Sequence, residues 1–130
     1  MIVLDASAAV EWLLHTPAGA RVGHRLVRPG ESLHAPHLLD VEVTQALRRL
    51  LQLKHVTVSE ATDALEGLRV LALRRYSHEP LLERVWQVRA SLSAYDAVYV
   101  ALAEALNAPL VTCDEKLAAS HGHSASIELV

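Results

Sequence analysis

Cysteine is almost absent from this 130-residue chain, which holds only Cys113. A single thiol excludes an intramolecular disulfide and suits a reducing compartment, so the cytoplasm is the expected location. Long apolar runs are missing too. The longest candidates are interrupted by Glu42 and Glu104, short of the roughly 20 residues a membrane helix needs, and no membrane partner is expected. The opening Met1-Ile2-Val3-Leu4-Asp5 has no basic region and reaches an acid after three apolar residues, unlike a secretory signal. Lysine is scarce: with only Lys54 and Lys116, ten of the twelve basic residues are arginine, the side chain suited to bidentate phosphate contacts.

What is present is apolar material. Hydrophobic residues make up 52% of the chain, ample for a core and too much for disorder. The length predicts one domain spanning residues 1–130. A net charge of −3 argues at first sight against a polyanionic partner, but with four acids gathered at a metal the remainder carries +1. Bound cations would then reverse the local sign.

Residues 1–5 read as a short buried strand ending at an acid. A helix over 7–15 follows, with Ser7 as its cap, and Pro17 begins another that reaches about Val27. Leu33–Ala35 is a brief strand. Leu39, Val43, Ala46, Leu47 and Leu50 recur at helical spacing and predict a helix over 38–53. Ser59 caps the next, to about Leu71, and a third strand falls within Val70–Tyr76. Pro80 opens a helix to about Leu92, and Ser93 caps one through Leu106. A strand at Pro109–Thr112, a short helix after Asp114 and a last strand at Ile127–Val130 complete the chain. Short strands alternating with amphipathic helices imply an α/β layer fold with a parallel sheet. Ligands of such sheets bind at the carboxyl ends of strands.

Four acids stand out, and each has an ordinary explanation beside the functional one. Asp5 and Asp114 follow strands and precede helices, where an aspartate commonly caps. Ser7 is an alternative cap that would leave Asp5 free. Asp96 lies in the capping-box-like Ser93-Ala94-Tyr95-Asp96, and its neighbours Tyr99, Val100 and Ala103 turn it toward the packed side of its helix. Glu42 lies at the margin of an apolar stripe, with Gln45 and Ala46 offering no basic partner. Together they place carboxylates on two strand tips and two inward-facing helical surfaces. Such a cluster repels itself unless compensated. Hard divalent cations answer that need, and carboxylate-held metals perform phosphodiester chemistry.

Taken with their surroundings, these acids resemble the motifs of PIN-domain nucleases, in particular the bacterial VapC-type toxins. Ile2-Val3-Leu4-Asp5-Ala6-Ser7-Ala8 is similar to the family's strand ending in Asp-x-Ser. Glu42 in Asp40-Val41-Glu42-Val43 matches its helical acid. The run from Ala94 through Asp96 to Ala103 resembles the third motif, and Leu110-Val111-Thr112-Cys113-Asp114 the fourth. The resemblance implies a three-layer PIN-like fold, a short parallel sheet flanked by helices, with Mg²⁺ or Mn²⁺ at the site. Asp5 and Asp96 would be principal ligands, with Asp114 and Glu42 as further ones, directly or through water. Ser7 and Thr112 would orient the carboxylates. It also implies endoribonuclease activity on an RNA substrate, a homodimer, and inhibition by a small cognate antitoxin.

Other assignments fit less well. A receiver-like module wants a second acid beside Asp5, a haloacid-dehalogenase-type phosphatase wants Asp-x-Asp where this chain has Asp5-Ala6-Ser7, and a degenerate PIN-like binding domain would be expected to lack an acid. Among eight histidines the close pairs His34/His37 and His121/His123 have no further ligand at zinc-like spacing, so surface or loop positions are expected. Trp12 and Trp86 read as core residues. Arg74-Arg75 are candidate RNA-binding residues; Arg48-Arg49 offer the same chemistry, though paired exposed arginines are ordinary on a solvated face.

Overall fold

Strand β1 (Ile2–Leu4) is buried at every position, as an unbroken apolar run requires of a strand covered on both faces. The structure, a computed structural model, describes residues 1–130 and continues from β1 through α1 (Ala6–Leu13), α2 (Pro17–Leu26), β2 (Leu33–Pro36), α3 (Leu38–Gln52), α4 (Val58–Val70) and β3 (Leu73–Tyr76). After a 3₁₀ turn at Glu79–Leu81 come α5 (Leu82–Gln87), α6 (Ala94–Leu106), β4 (Leu110–Thr112), α7 (Glu115–Ala118) and β5 (Ile127–Leu129). The five strands form one sheet in the order β3-β2-β1-β4-β5, parallel throughout. The chain steps outward from β1 to β2 and β3, then returns to the other side of β1 for β4 and β5. That reversal puts the switch point between the carboxyl ends of β1 and β4.

Right-handed crossovers run in opposite directions on either side of β1, so their helices cover opposite faces. Helix α6 lies against β1, β2 and β4, and α1 packs on α2, α3 and α4. Seven successive residues of α6, Ala97 to Ala103, are buried. Alanines at 97, 101 and 103 let this helix approach the sheet closely. A continuous core of 27 buried residues joins both layers. No helix is long and apolar enough to cross a membrane.

Several local expectations are corrected. Helix α1 begins at Ala6, with Asp5 rather than Ser7 as its cap. Helix α4 begins at Val58, one residue before Ser59, and is capped by Thr57 rather than Ser59, because Thr57 and Glu60 form a reciprocal capping box that Ser59 could not complete. The expected helix from Pro80 to Leu92 divides into the 3₁₀ turn and a six-residue α5. His34 is not a surface histidine: it is buried on β2, bonded to Ser32 Oγ at 2.8 Å and to the Tyr76 hydroxyl at 2.7 Å. Trp12 packs at the edge of the core, whereas Trp86 is 68% exposed, with Arg89 stacked on its ring.

Helices α1 and α2 meet backbone to backbone at Gly19. A Cβ there would lie 2.0 Å from the carbonyl oxygen of Glu11, an obstacle that no rotamer change removes. Gly19→Ala is therefore expected to destabilise the protein by about 2–3 kcal/mol, the cost of overpacking a tight contact, although alanine favours helices. Urea titration of both proteins measures this, and equal midpoints would show that the helices separate freely.

Candidate metal centre

The site grows from the junction of β1 and β4. Asp5 leaves β1 as the cap of α1, with Oδ2 accepting the Ser7 backbone N–H at 3.3 Å. The same oxygen accepts the Ser7 hydroxyl and the Thr112 hydroxyl at 2.8 Å. Each hydroxyl has one proton to give, and each in turn accepts a backbone N–H of the β4–α7 turn. Cys113 N–H donates to Ser7 Oγ at 3.0 Å and Asp114 N–H to Thr112 Oγ1 at 2.9 Å. Three donors thus converge on Oδ2, while Oδ1 accepts no hydrogen bond from the protein and is not among its buried unpartnered atoms. That oxygen faces outward.

Asp114 follows the same division. It caps α7 through Oδ1, which accepts Lys116 N–H at 2.8 Å and Leu117 N–H at 3.3 Å, leaving Oδ2 uncommitted. Asp96 is half-buried in the first turn of α6, where its N–H donates to Ser93 Oγ at 3.2 Å. A full capping box is not made, so the carboxylate stays free. Burial raises its pKa, and the charges of Asp5 and Asp114 raise it further. Glu42 reaches in from α3. Burial raises its pKa most, the Tyr99 hydroxyl opposes this, and Asp5 and Asp96 add to the rise.

The capping explanations for Asp5 and Asp114 therefore hold, and they coexist with free carboxylate oxygens at the switch point. The four acids feel one another's charge, and none takes part in an ion pair. Glu42 Oε1 is buried with only the Tyr99 hydroxyl nearby and no regular hydrogen bond, a costly state for a carboxylate that a cation would relieve. No three acidic, histidine or cysteine side chains are drawn together as a ready-made ligand set; of the four acids, Glu42 and Asp114 line an open cleft. Their chemistry fits a hard cation that keeps several waters, since such ions need only a few direct carboxylate contacts.

One member of the site escaped the sequence reading. Tyr99, three residues after Asp96 on the same face of α6, is fully buried, its hydroxyl close to the Glu42 carboxylate but outside regular hydrogen-bond geometry. Burial raises its pKa, and the Glu42 and Asp5 charges push it the same way. Its spacing from Asp96 was available as a signal, but a tyrosine in an apolar helix reads as core. The β3 arginines lie apart from this cluster. Arg75 Nε and Nη2 bond the Asp40 carboxylate at 2.7 and 2.9 Å, so this guanidinium is already engaged. Arg74 is exposed and stacks over the Tyr76 ring.

Raised carboxyl pKa values mean that ionisation opposes folding: the penalty is full above the folded-state pKa and disappears once pH falls below the unfolded value. In EDTA at neutral pH, Asp96→Asn is expected to melt several degrees above wild type, with the gap closing on acidification. Mg²⁺ or Mn²⁺ should then raise the wild-type melting temperature more than the variant's. An equal rise in both would locate the bound ion elsewhere.

Comparison with known proteins agrees with this geometry. The PIN domain family model matches residues 2–120. The chain is 48% identical over 130 residues to Ribonuclease VapC12 of Mycobacterium tuberculosis, covering 100% of this chain and 99% of that one. It is 49% identical over 117 residues to VapC ribonuclease Mb0985 of Mycobacterium bovis, covering 90% and 88%. Among solved structures, PAE2754 of Pyrobaculum aerophilum superposes with a TM-score of 0.71 at 28% identity, over 97% of this chain and 81% of that one. VapC20 of Mycobacterium tuberculosis, described as a sarcin-ricin loop cleaving toxin, also gives 0.71, at 15% identity over 95% and 97%, a likeness of fold alone. With the matched region running from β1 to α7 and so including all four acids, the chain belongs to the PIN-domain family.

Proposed function

We propose that the 130 residues act as a single endoribonuclease domain, the toxin of a bacterial toxin–antitoxin pair, dependent on a divalent metal at Asp5, Asp96, Asp114 and Glu42. The observation that carries this reading is the set of four carboxylates at the switch point without an ion-pair partner, one with a buried oxygen that makes no regular hydrogen bond. Relatives named as ribonucleases at 45–49% identity support the activity. Mg²⁺ or Mn²⁺ suits the all-oxygen donor set.

Such an ion supplies charge neutralisation and Lewis acidity at a phosphodiester. The chain's own contribution is orientation. Ser7 and Thr112 lock one oxygen of Asp5 and leave the other without a protein donor, and the capping bonds do the same for Asp114. Glu42 and Asp96, with their raised pKa values, are the members best suited to holding or passing a proton. Of the arginines on β3, Arg74 keeps a guanidinium free for RNA; Arg75 does not.

A homodimer and an inhibiting antitoxin complete the reading. Exposed Leu82, Trp86 and Tyr95 give a second copy an apolar surface to bury. A groove of about 390 Å³ between α1 and α4, lined by Trp12, Leu13, Leu14 and Leu71 among others, suits an amphipathic segment of a small antitoxin.

Asp5→Asn and Asp96→Asn test the site with little harm to the fold, since asparagine caps α1 as well as aspartate does and the Asp96 carboxylate makes no capping bond. Each is expected to lower RNA cleavage by at least ~10²-fold, the scale of losing a major electrostatic contributor, and to relieve growth inhibition in cells. Cleavage that survives both substitutions would put the active site elsewhere. Wild-type protein that cleaves no RNA with either metal across a broad panel would reject the nuclease.

A further inference from the structure

The chain carries two arginine pairs, and in each the structure separates the members. Arg75 is tied to Asp40. Arg48 faces α4, in a groove with Thr44, Leu47 and Leu51. Arg49, one residue on, turns about 100° around α3 and opens onto a different surface. That surface is an open cleft of about 750 Å³ which also exposes Ser7, Glu42, Asp114 and His55. Glu42, Ala46, Arg49 and Leu53 form a stripe down α3, with Arg49 about 10 Å along the axis from Glu42 at 1.5 Å per residue. Arg49 is exposed and takes part in no ion pair. Glu11, the remaining acid of the cleft, accepts the Thr16 hydroxyl instead.

His55 is brought back to the cleft that Arg49 lines by the way α3 ends. Lys54 adopts φ 59°, Lys54 N–H donates to Leu51 O at 3.1 Å, and His55 N–H donates to Leu50 O at 2.9 Å. This is a Schellman closure, with lysine in the left-handed position that glycine usually takes. It folds the chain over the helix end, so that His55 joins the cleft rather than continuing away from it.

From this arrangement we infer that Arg49, with His55 in the same cleft, forms a phosphate-binding subsite that holds the RNA strand next to the bond being cut. The inference rests on the nuclease reading above. Four carboxylates repel a polyanion, and a metal at those acids serves only the phosphate placed on it. The neighbouring phosphate needs its own cation, and Arg49 is the arginine that shares a cleft with Glu42 and Asp114. A guanidinium offers a planar fork of donors matched to phosphate oxygens. Val10, Leu50 and Leu53 line the same cleft and give the attached nucleoside an apolar surface. Along α3 the cleft thus runs from Glu42 past Ala46 to Arg49, with Leu50 and Leu53 beside and beyond the guanidinium.

The test uses Asp96→Asn protein with Mg²⁺, so that RNA is bound without being consumed, and a mixed-sequence single-stranded 12-mer as probe. Adding Arg49→Gln is expected to weaken binding about tenfold, the scale of one lost charge-assisted hydrogen bond. It should also flatten the plot of log affinity against log salt by ~0.7, the increment of one single-strand phosphate contact. Arg48→Gln, one residue away with the same charge removed, should leave both unchanged, and His55→Ala should weaken binding less than Arg49→Gln. Equal effects at 48 and 49, or none at 49, would overturn the subsite. Arg49-dependent binding of an acidic peptide with RNA affinity intact would also overturn it, marking a protein-docking surface. If wild type cleaves RNA and only the Arg49 result fails, the subsite alone falls. If wild type neither cleaves nor binds RNA, the nuclease reading falls and takes the subsite with it.

Discussion

Two strand tips are tied together where Thr112 donates to Asp5 Oδ2 at 2.8 Å and Ser7 donates to the same oxygen. The β4–α7 turn hangs from those two hydroxyls through the backbone N–H groups of Cys113 and Asp114. The position of Asp114 is therefore registered to Asp5 by two hydroxyl relays rather than by a direct contact between two anions, which would be repulsive. Most else at this edge follows. Because β1 is three residues long and wholly buried, its end must fall at Asp5. Because α6 is packed with alanines against β1 and β4, its first turn can bring Asp96 to the same place. Carboxylates gathered in this way oppose folding until a cation joins them, so the site is stabilised by the core beneath it and not by its own contacts.

Arginines engaged in pairing do a different job, at the margins of the sheet. Arg25, almost buried, spans Glu31 and Glu128 and fastens α2 to the edge strand β5. Arg75 fastens the other edge strand, β3, to α3 through Asp40. Arg84 holds Glu104, whose pKa falls to about 2 through that bond and Ser124. A depressed carboxyl pKa contributes stability above the unfolded value of about 4.3 that is lost as pH falls toward the folded one. Paired arginines and charged residues at both edges discourage further strand addition.

Residues whose roles are local were readable from the chain alone. The strand endings at Asp5 and Asp114, the Ser93 cap and the apolar stripe of α3 depend on neighbours within a few positions. Asp5-Ala6-Ser7 misled because it offers two caps, and only the exit direction of β1 selects between them. Thr57-Val58-Ser59-Glu60 contained the capping-box spacing, yet the nearer hydroxyl drew the assignment. Engagement of Arg75 by Asp40, 35 residues away, has no local signature. Nor has the burial of His34, which depends on β3 bringing Tyr76 alongside. The exposure of Trp86 was hidden by an apolar helix whose outer face the fold leaves bare.

An all-parallel sheet also gives the molecule two unlike poles. Met1 lies at the amino pole, where its ammonium group meets Glu31 at 3.2 Å, and every strand runs away from it. Val130 emerges at the opposite pole, its N–H bonded to the carbonyl of Thr112 at 2.9 Å, one residue from Cys113 and two from Asp114. An affinity tag or fluorescent label placed before Met1 therefore stands a full strand length from the carboxylates. The same label placed after Val130 begins beside them, where it can crowd or shield the cleft.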